Sequence, residues 1–247
     1  MHSFSACAAA CVIASIVAVH SHAGVASVID SFSSAGTLGP HGSGYFGVGE
    51  FTTAGWSSGG GHLGDRLLYN NSWGDGLVAQ ASMSGNGQFV SMISGGTSSD
   101  TQLIAQYRLG SSLDLSGTGT TVLVRGSGSA SGGDSENAGY GIGVALLTGA
   151  STDGSWTNRC WLQFNMSGSQ SLGNFAFSIA DIAAAAAAGS ADSENFDFSQ
   201  VNAFQFYQYA YAGGNWNYAA TSFEIVPAPG VIAFVGLAGL VSRRCRR

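Results

Sequence analysis

The stretch YGIGVAL, residues 140–146, places its large apolar side chains at every second position. Successive side chains of a β-strand point to opposite faces, so this pattern predicts a strand with one face in a core. The same period of two recurs in runs separated by Gly, Ser, Asn and Asp, which favour tight turns. Strands with one apolar face predict two antiparallel sheets packed together. The other runs with this pattern have their inward positions at Leu77, Ala79, Ala81 and Met83; at Leu103, Ala105, Tyr107 and Leu109; at Phe175, Phe177 and Ile179; and at Ala219, Thr221, Phe223 and Ile225.

The composition is that of a folded, acidic domain. The chain has 247 residues, of which 45% are apolar, and this is enough for one hydrophobic core. Charged residues make up only 9%, lysine is absent and the net charge is −6. Four of the eight arginines lie in the last five residues, so the fourteen carboxylates of the middle face only four arginines. Such a surface repels phosphate backbones, and we therefore expect no nucleic-acid partner.

The first 23 residues have the features of an export signal. An apolar stretch from Ala8 to Val19 is followed by Ser21 and Ala23, which are small residues at the positions where signal peptidase cleaves. The segment before the apolar stretch contains no Lys or Arg, and a short membrane anchor is the alternative. We predict a signal peptide at residues 1–23, removed by signal peptidase, and an exported domain at residues 24–225.

Residues 226–247 combine a proline motif, a short apolar segment and a basic end. Pro227, Ala228 and Pro229 precede the apolar residues 230–241. Twelve helical residues span roughly 18 Å, less than the roughly 30 Å of a hydrocarbon core, so we predict a short membrane helix that anchors the chain transiently. The positive-inside rule keeps the basic end in the cytoplasm. That end consists of Arg243, Arg244, Arg246 and Arg247.

In its order of elements, this tail resembles the PEP-CTERM sorting signals, which have a proline motif, a short apolar helix and terminal arginines. The resemblance implies recognition near Pro227 and Pro229 by an exosortase-type membrane protease, removal of the tail, and delivery to the cell surface or extracellular matrix. Ala228 stands where the family usually has glutamate, and the Pro-Ala-Pro form is similar to planctomycete-like versions of the signal. Related tails follow unrelated ectodomains, so the resemblance implies an export route and no activity.

The exported domain is predicted to be all-β, a single jelly-roll-like β-sandwich between the N-terminal signal helix and the short C-terminal membrane helix. One further helix is expected at the alanine run from Ala183 to Ala188, which follows Asp181. Two stretches, residues 113–116 and 196–201, loosely resemble turns in carbohydrate-binding-type sandwiches that occur on other proteins with this tail.

Aromatic side chains beside amides give the most specific functional expectation. A flat ring stacks on the apolar face of a sugar while neighbouring amides bond its hydroxyls, which predicts an extracellular polysaccharide as the partner. Each of these rings fits core or cross-strand packing equally well. The candidates for glycan contact are Trp161 and Gln163, which share a strand face, the stripe Tyr207, Tyr209 and Tyr211, and Trp216 in the following loop.

Acidic loops leave structural calcium open as the one expected cofactor. Calcium favours several oxygen ligands from flexible loops, although the spacing here matches neither an EF-hand nor a calcium-binding nonapeptide. Solvated loops are the alternative. The candidate ligands are Asp134, Glu136, Asp192, Glu194 and Asp197.

The sequence predicts no catalytic residues. Residues 55–59, GWSSG, match the spelling of a nucleophile elbow, but no helical pattern follows. His41 and His62 have no partner at metal-ligand spacing. We therefore expect a non-catalytic surface or matrix protein. The alternatives are a secreted polysaccharide hydrolase, which needs two carboxylates across a cleft, and an ice- or surface-adhesive module.

Overall fold

The computed structural model describes residues 27–41, 61–73, 78–94, 100–117, 119–133, 139–151, 155–192, 195–211 and 213–227. All of them belong to one compact unit. The predicted signal peptide, with its cleavage position at Ala23, lies outside the described residues. So do the sorting positions Ala228, Pro229, Arg243, Arg244, Arg246 and Arg247.

Thirteen strands and one α-helix make up the regular structure of the described chain. In chain order they are β1 (Ser27–Asp30), β2 (Ala35–His41), β3 (Gly64–Trp73), β4 (Val78–Ser84), β5 (Phe89–Ser94), β6 (Asp100–Leu113), β7 (Thr121–Ser131), β8 (Tyr140–Thr148), β9 (Asn158–Met166), β10 (Gln170–Leu172), β11 (Phe175–Ser178), α1 (Ile179–Ala187), β12 (Val201–Ala210) and β13 (Asn215–Val226).

The strands form two antiparallel sheets, as the sequence predicts. The eight-stranded sheet has the order β10, β7, β13, β5, β4, β2, with β1 also paired to β13 and β11 also paired to β7. The five-stranded sheet has the order β3, β6, β12, β8, β9. The expectation of an all-β fold is confirmed for the described residues.

An apolar core lies between the two sheets and joins them. Phe89 of β5 contacts Phe206 of β12 edge to face, with ring centroids 6.0 Å apart. Tyr107 of β6 lies 5.5 Å from Phe223 of β13. Cys160 is fully buried on β9, and burial raises the pKa of its thiol to about 12, so the thiol stays protonated and unreactive at neutral pH. The predicted inward faces of β6 and β8 are confirmed at Leu103, Ala105, Tyr107, Leu109, Tyr140, Ile142, Val144 and Leu146.

The inward face predicted for β13 is wrong in its first half. A β-bulge between Ala220 and Ser222 shifts the pairing with β7. One extra residue reverses the direction of every side chain beyond it, so Thr221 is exposed and Ala219 is only half-buried. The buried positions of β13 are Trp216, Tyr218, Ala220, Phe223 and Ile225.

Helix α1 contains most of the predicted alanine run but begins earlier, at Ile179. Ser178 caps it, because its Oγ accepts a hydrogen bond of 3.0 Å from the backbone N–H of Asp181. Ile179, expected at the end of a strand, therefore belongs to the helix and buries its side chain beside β11. Among the described residues, no helix is both long and apolar enough to cross a membrane.

A buried ion pair fixes the junction between β1 and β3. The Arg66 Nη1 donates to Asp30 Oδ2 at 2.8 Å, and both side chains are 1% exposed. Arg66 Nη2 also donates to the Ser34 carbonyl at 3.1 Å, while Asp30 Oδ1 accepts from the backbone N–H of Phe32 at 2.7 Å. Two charges held this far from water need such partners, so the pair couples the first strand to the five-stranded sheet.

Candidate functional site

The outer face of the five-stranded sheet brings together most of the predicted glycan-contact residues. Because β12, β8 and β9 pair in register, Tyr207, Gly143 and Gln163 form one row across the three strands. The next row consists of Tyr209, Gly141 and Asn165. Alternate residues of these strands point into the core, so the tyrosine stripe and the Trp161 face lie on the same outer surface.

Glycines on the central strand β8 make room for the tyrosine rings. A Cβ placed on Gly143 would lie 2.2 Å from Cζ of Tyr207, and one on Gly141 would lie 2.1 Å from the Tyr209 hydroxyl. Both distances are far inside van der Waals contact, so only glycine lets the rings lie flat across the strand. The two rings therefore reach from β12 over β8 towards β9.

The phenol groups end on β9 and support the surface there. The Tyr207 hydroxyl donates to Gln163 Oε1 at 3.4 Å. The Tyr209 hydroxyl lies against the carbonyl of Phe164 at 3.2 Å and against Oδ1 of Asn165. Burial raises the pKa of both phenols above the ordinary value of 10.0. Both stay neutral hydrogen-bond donors across the physiological pH range.

A depression of about 200 Å³ opens on this surface. Arg159, Trp161 and Gln163 line it from β9, and Tyr207 lines it from β12. The Nε2 of Gln205 is oriented by a hydrogen bond of 2.9 Å to Gln106 Oε1 on β6. The depression thus combines an indole ring with several amides. Its described lining is Gln102, Ile104, Arg159, Trp161, Gln163, Gln205 and Tyr207.

An arginine that contacts two indoles forms one rim of the depression. The guanidinium carbon of Arg159 lies 4.6 Å from the ring centroid of Trp161 and 5.4 Å from that of Trp156. Asp192 accepts a hydrogen bond of 3.1 Å from the Trp156 indole N–H, and its own backbone N–H donates to the Arg159 carbonyl at 2.8 Å. Residues 190–192 lie along part of the free edge of β9 and so place Asp192 beside the arginine.

Two of the predicted contact residues do not have the predicted role. Trp216 lies in β13 and not in a loop; it is 2% exposed, and its indole N–H donates inside the core to Gln208 Oε1 at 2.9 Å. Its assignment to the glycan surface is wrong, because the strand begins at Asn215 and turns the ring inward. Tyr209 is on the predicted face but is only 1% exposed, so it supports the surface from beneath. Tyr211 is half-buried, with its ring 5.1 Å from that of Tyr209.

The structure describes two of the five acidic calcium candidates, Asp192 and Asp197, and each has separate contacts. Asp192 contacts Trp156 and Arg159. Asp197 caps a 3-10 turn, where its Oδ1 accepts from the backbone N–H of Ser199 at 2.9 Å. Asp134, Glu136 and Glu194 lie outside the described residues. Within the described ranges, no three His, Cys, Asp or Glu side chains cluster as metal ligands would.

A larger depression, of about 580 Å³, lies on the eight-stranded sheet. Its lining is dominated by serine and asparagine side chains with Met92, which is 50% exposed. None of the described residues that line it is charged, and its one ring, Trp216, is buried. The smaller depression is the better candidate site, because size without an accessible ring or a charge gives a ligand little to recognise.

Sequence reasoning missed Arg159, Trp156 and Gln102. The alternation that selects Trp161 and Gln163 also contains Arg159, so the pattern could have found the arginine. Trp156 precedes β9 and has no periodic signal, and Gln102 reaches the site only through the pairing of β6 with β12.

No protein-family model matches the chain, and no curated protein matches it in sequence. Among solved structures, a family 11 carbohydrate-binding module from Clostridium thermocellum in complex with a β-1,3-1,4-mixed-linked tetrasaccharide is 9% identical, with a TM-score of 0.39 over 66% of this chain and 89% of that chain. A family 11 carbohydrate-binding module of a Clostridium thermocellum cellulosomal cellulase is 10% identical, with a TM-score of 0.38 over 76% and 97%. A family 12 glycoside hydrolase is 15% identical, with a TM-score of 0.37 over 66% and 92%. All three TM-scores are below 0.5, so these similarities assign no family, ligand or activity to this chain.

Proposed function

We propose that this chain is an exported, non-catalytic protein of the cell surface or extracellular matrix that binds glycan on the outer face of its five-stranded sheet. The observation that carries the proposal is the depression in which the half-buried Trp161 and Gln163 lie beside the nearly buried Tyr207 and Gln205.

The chemistry of this depression suits one sugar unit of a polysaccharide. An indole ring stacks on the apolar C–H face of a pyranose. Amide groups donate to and accept from ring hydroxyls, and their positions set the orientation of the sugar. Gln163 Nε2 donates to Asn165 Oδ1 at 2.9 Å, so this amide is oriented before a ligand arrives. Gln205 is 2% exposed and bonded to Gln106, so it supports the depression from beneath.

Export is the second part of the proposal and rests on the two ends of the sequence. Residues 1–23 have the apolar stretch and small residues of a signal peptide, and residues 226–247 resemble a PEP-CTERM tail. In this proposal the partners are signal peptidase and an exosortase-type protease. The chain is held briefly in the inner membrane and then released to the cell surface.

The strand connections support the jelly-roll form of the sandwich. The chain crosses from the five-stranded to the eight-stranded sheet between β6 and β7, and again between β12 and β13. Repeated crossing of this kind is how a jelly roll wraps its strands around one core.

The non-catalytic part of the proposal follows from the lining of the depression. Glycoside hydrolysis uses two carboxylates that flank the scissile bond. The described residues lining the depression are amide, aromatic, aliphatic and guanidinium groups. A ligand bound there would meet groups that hold a sugar, and the acid at the rim, Asp192, contacts Trp156 and Arg159.

A polysaccharide panel tests the proposal. The purified full-length chain is run by affinity electrophoresis against neutral and acidic polysaccharides, beside Trp161→Ala and a control, Met92→Ala, on the opposite sheet. We expect the wild type and the control to be retarded by at least one polysaccharide, and Trp161→Ala to lose about tenfold or more in affinity. Equal retardation of all three proteins would overturn the proposed site. Release of reducing sugar by the wild type would favour the hydrolase alternative instead.

A further inference from the structure

We propose that the depression selects sugars that carry a carboxylate, so that the glycan is a uronic-acid polysaccharide bound through Arg159. The inference rests on the proposed function and names the ligand class of the same site. It comes from the chemistry of the Trp156, Arg159 and Trp161 cluster.

The charge of the depression is the first observation. Of the described residues that line it, Arg159 alone is charged. The chain as a whole carries a net charge of −6, so an anionic polysaccharide gains nothing from long-range attraction. Arg159 gives the depression a local preference for a negative ligand group, which Asp192, 3.7 Å from Nη2, partly offsets.

The unused donors of the guanidinium are the second observation. The indole centroids of Trp156 and Trp161 lie 5.4 and 4.6 Å from the guanidinium carbon of Arg159, so its rigid fork of N–H donors packs beside two rings. Arg159 Nε is buried and has no hydrogen-bond partner within the described chain, so a ligand would have to use the Nη groups of this side chain, which is 34% exposed. The nearest acid, Asp192, lies 3.7 Å from Nη2, beyond the usual N–H···O distance, and its Oδ2 already accepts from Trp156.

These contacts hold the arginine in place, but none of them is a hydrogen bond to its guanidinium. A guanidinium bonds a carboxylate with two parallel N–H···O bonds, which is the strongest use of its geometry. A uronate stacked on the face of Trp161 that Arg159 leaves open would bring its carboxylate to the same rim of the depression as Arg159. A neutral sugar would keep the stacking and the amide bonds but lose the charged contact.

A matched pair of ligands tests the selection. Calorimetric titration compares oligogalacturonate with its methyl ester, which has the same sugar backbone without the negative charges. We expect the full-length wild type to bind the acid about tenfold or more tightly than the ester. The affinity for the acid should also fall as salt rises.

Two variants test whether Arg159 and its surroundings cause the preference for the acid over the ester. Arg159→Gln should lose about tenfold or more in affinity for the acid and change little for the ester. Asp192→Asn removes the competing negative charge, so it should bind the acid more tightly than the wild type. A gain of this kind cannot come from misfolding.

The outcomes separate the inference from the proposed function. Equal wild-type affinity for acid and ester, or an equal loss for both in Arg159→Gln, overturns carboxylate selection while leaving glycan binding in place. Equal binding of dextran sulfate and oligogalacturonate also overturns it, because any anion would then serve. If the wild type binds no member of the polysaccharide panel, the proposed function itself fails and the inference fails with it.

Discussion

The ring of Tyr207 lies across the backbone of Gly143 on the neighbouring strand, so close that a Cβ at position 143 would be 2.2 Å from its Cζ. This contact sets the height of the ring on the outer face of the five-stranded sheet. It also directs the Tyr207 hydroxyl to Gln163 on β9. The shape of the candidate site therefore depends on a residue with no side chain.

Gly143→Ala should lift Tyr207 out of its position and damage both packing and binding. Overpacking of this kind costs about 1–3 kcal/mol, which urea unfolding would measure. Affinity for the best ligand of the polysaccharide panel should fall as well, because Gln163 loses its phenol partner. Gly110→Ala is the control, since an added Cβ there meets nothing within 4 Å. Unchanged stability and binding in Gly143→Ala would contradict the contact.

The buried pair of Asp30 and Arg66 gives a prediction about stability alone. Arg66→Met leaves the Asp30 carboxylate buried without its guanidinium and should cost roughly 3–5 kcal/mol in the free energy of unfolding. The double variant Asp30→Asn/Arg66→Met should recover much of that loss, because the amide is neutral and its Oδ1 still accepts from the Phe32 N–H. Chemical denaturation of the wild type, the single variant and the double variant would measure their free energies of unfolding. If the double variant is no better than the single one, an uncompensated charge is not the cause.

Alkaline pH should destabilise the fold through the buried tyrosines. Burial, the largest cause, raises the folded-state pKa of Tyr207 and Tyr209 above the ordinary value of 10.0. The unfolded chain then loses these protons before the folded chain does, so stability is fully present below about pH 10 and falls as pH rises towards the folded pKa. Urea unfolding at pH 8, 10 and 11 would measure the fall.

Tyr209→Phe is the matched variant for this pH dependence. It should lose about 1 kcal/mol at pH 8 with its hydrogen bond and show a shallower decline above pH 10. An identical decline in the variant and the wild type would show that Tyr209 does not contribute to the alkaline effect.

The sequence predicted those parts of the fold that depend on local alternation. The inward faces of β6 and β8 follow directly from a period of two, and the helical state of the alanine run follows from its composition, whereas the cap at Ser178 was not predicted. The β13 bulge could not be predicted, because a single inserted residue reverses the pattern without changing the kinds of residue present. Trp216 was misplaced for a different reason, since it stands in a Gly- and Asn-rich stretch whose composition is typical of a loop.

The candidate site was predicted in part, through residues that share a strand. Trp161 and Gln163 alternate on β9, and Tyr207 lies on the matching face of β12. What joins them is the glycine pair on β8, whose role depends on the order of strands in the sheet. The Asp30–Arg66 pair likewise joins residues far apart in sequence, and only the folded arrangement brings them together.

Hydroxyl-radical footprinting of the full-length chain tests the central claim most directly. The chain is oxidised with and without a saturating amount of the ligand that it binds best, and the modification of each residue is read by mass spectrometry. Glycan binding on the five-stranded sheet predicts slower oxidation of Trp161 with no change at Met92 on the eight-stranded sheet. Protection of Met92 with unchanged oxidation of Trp161 would place the ligand on the opposite sheet and contradict the account.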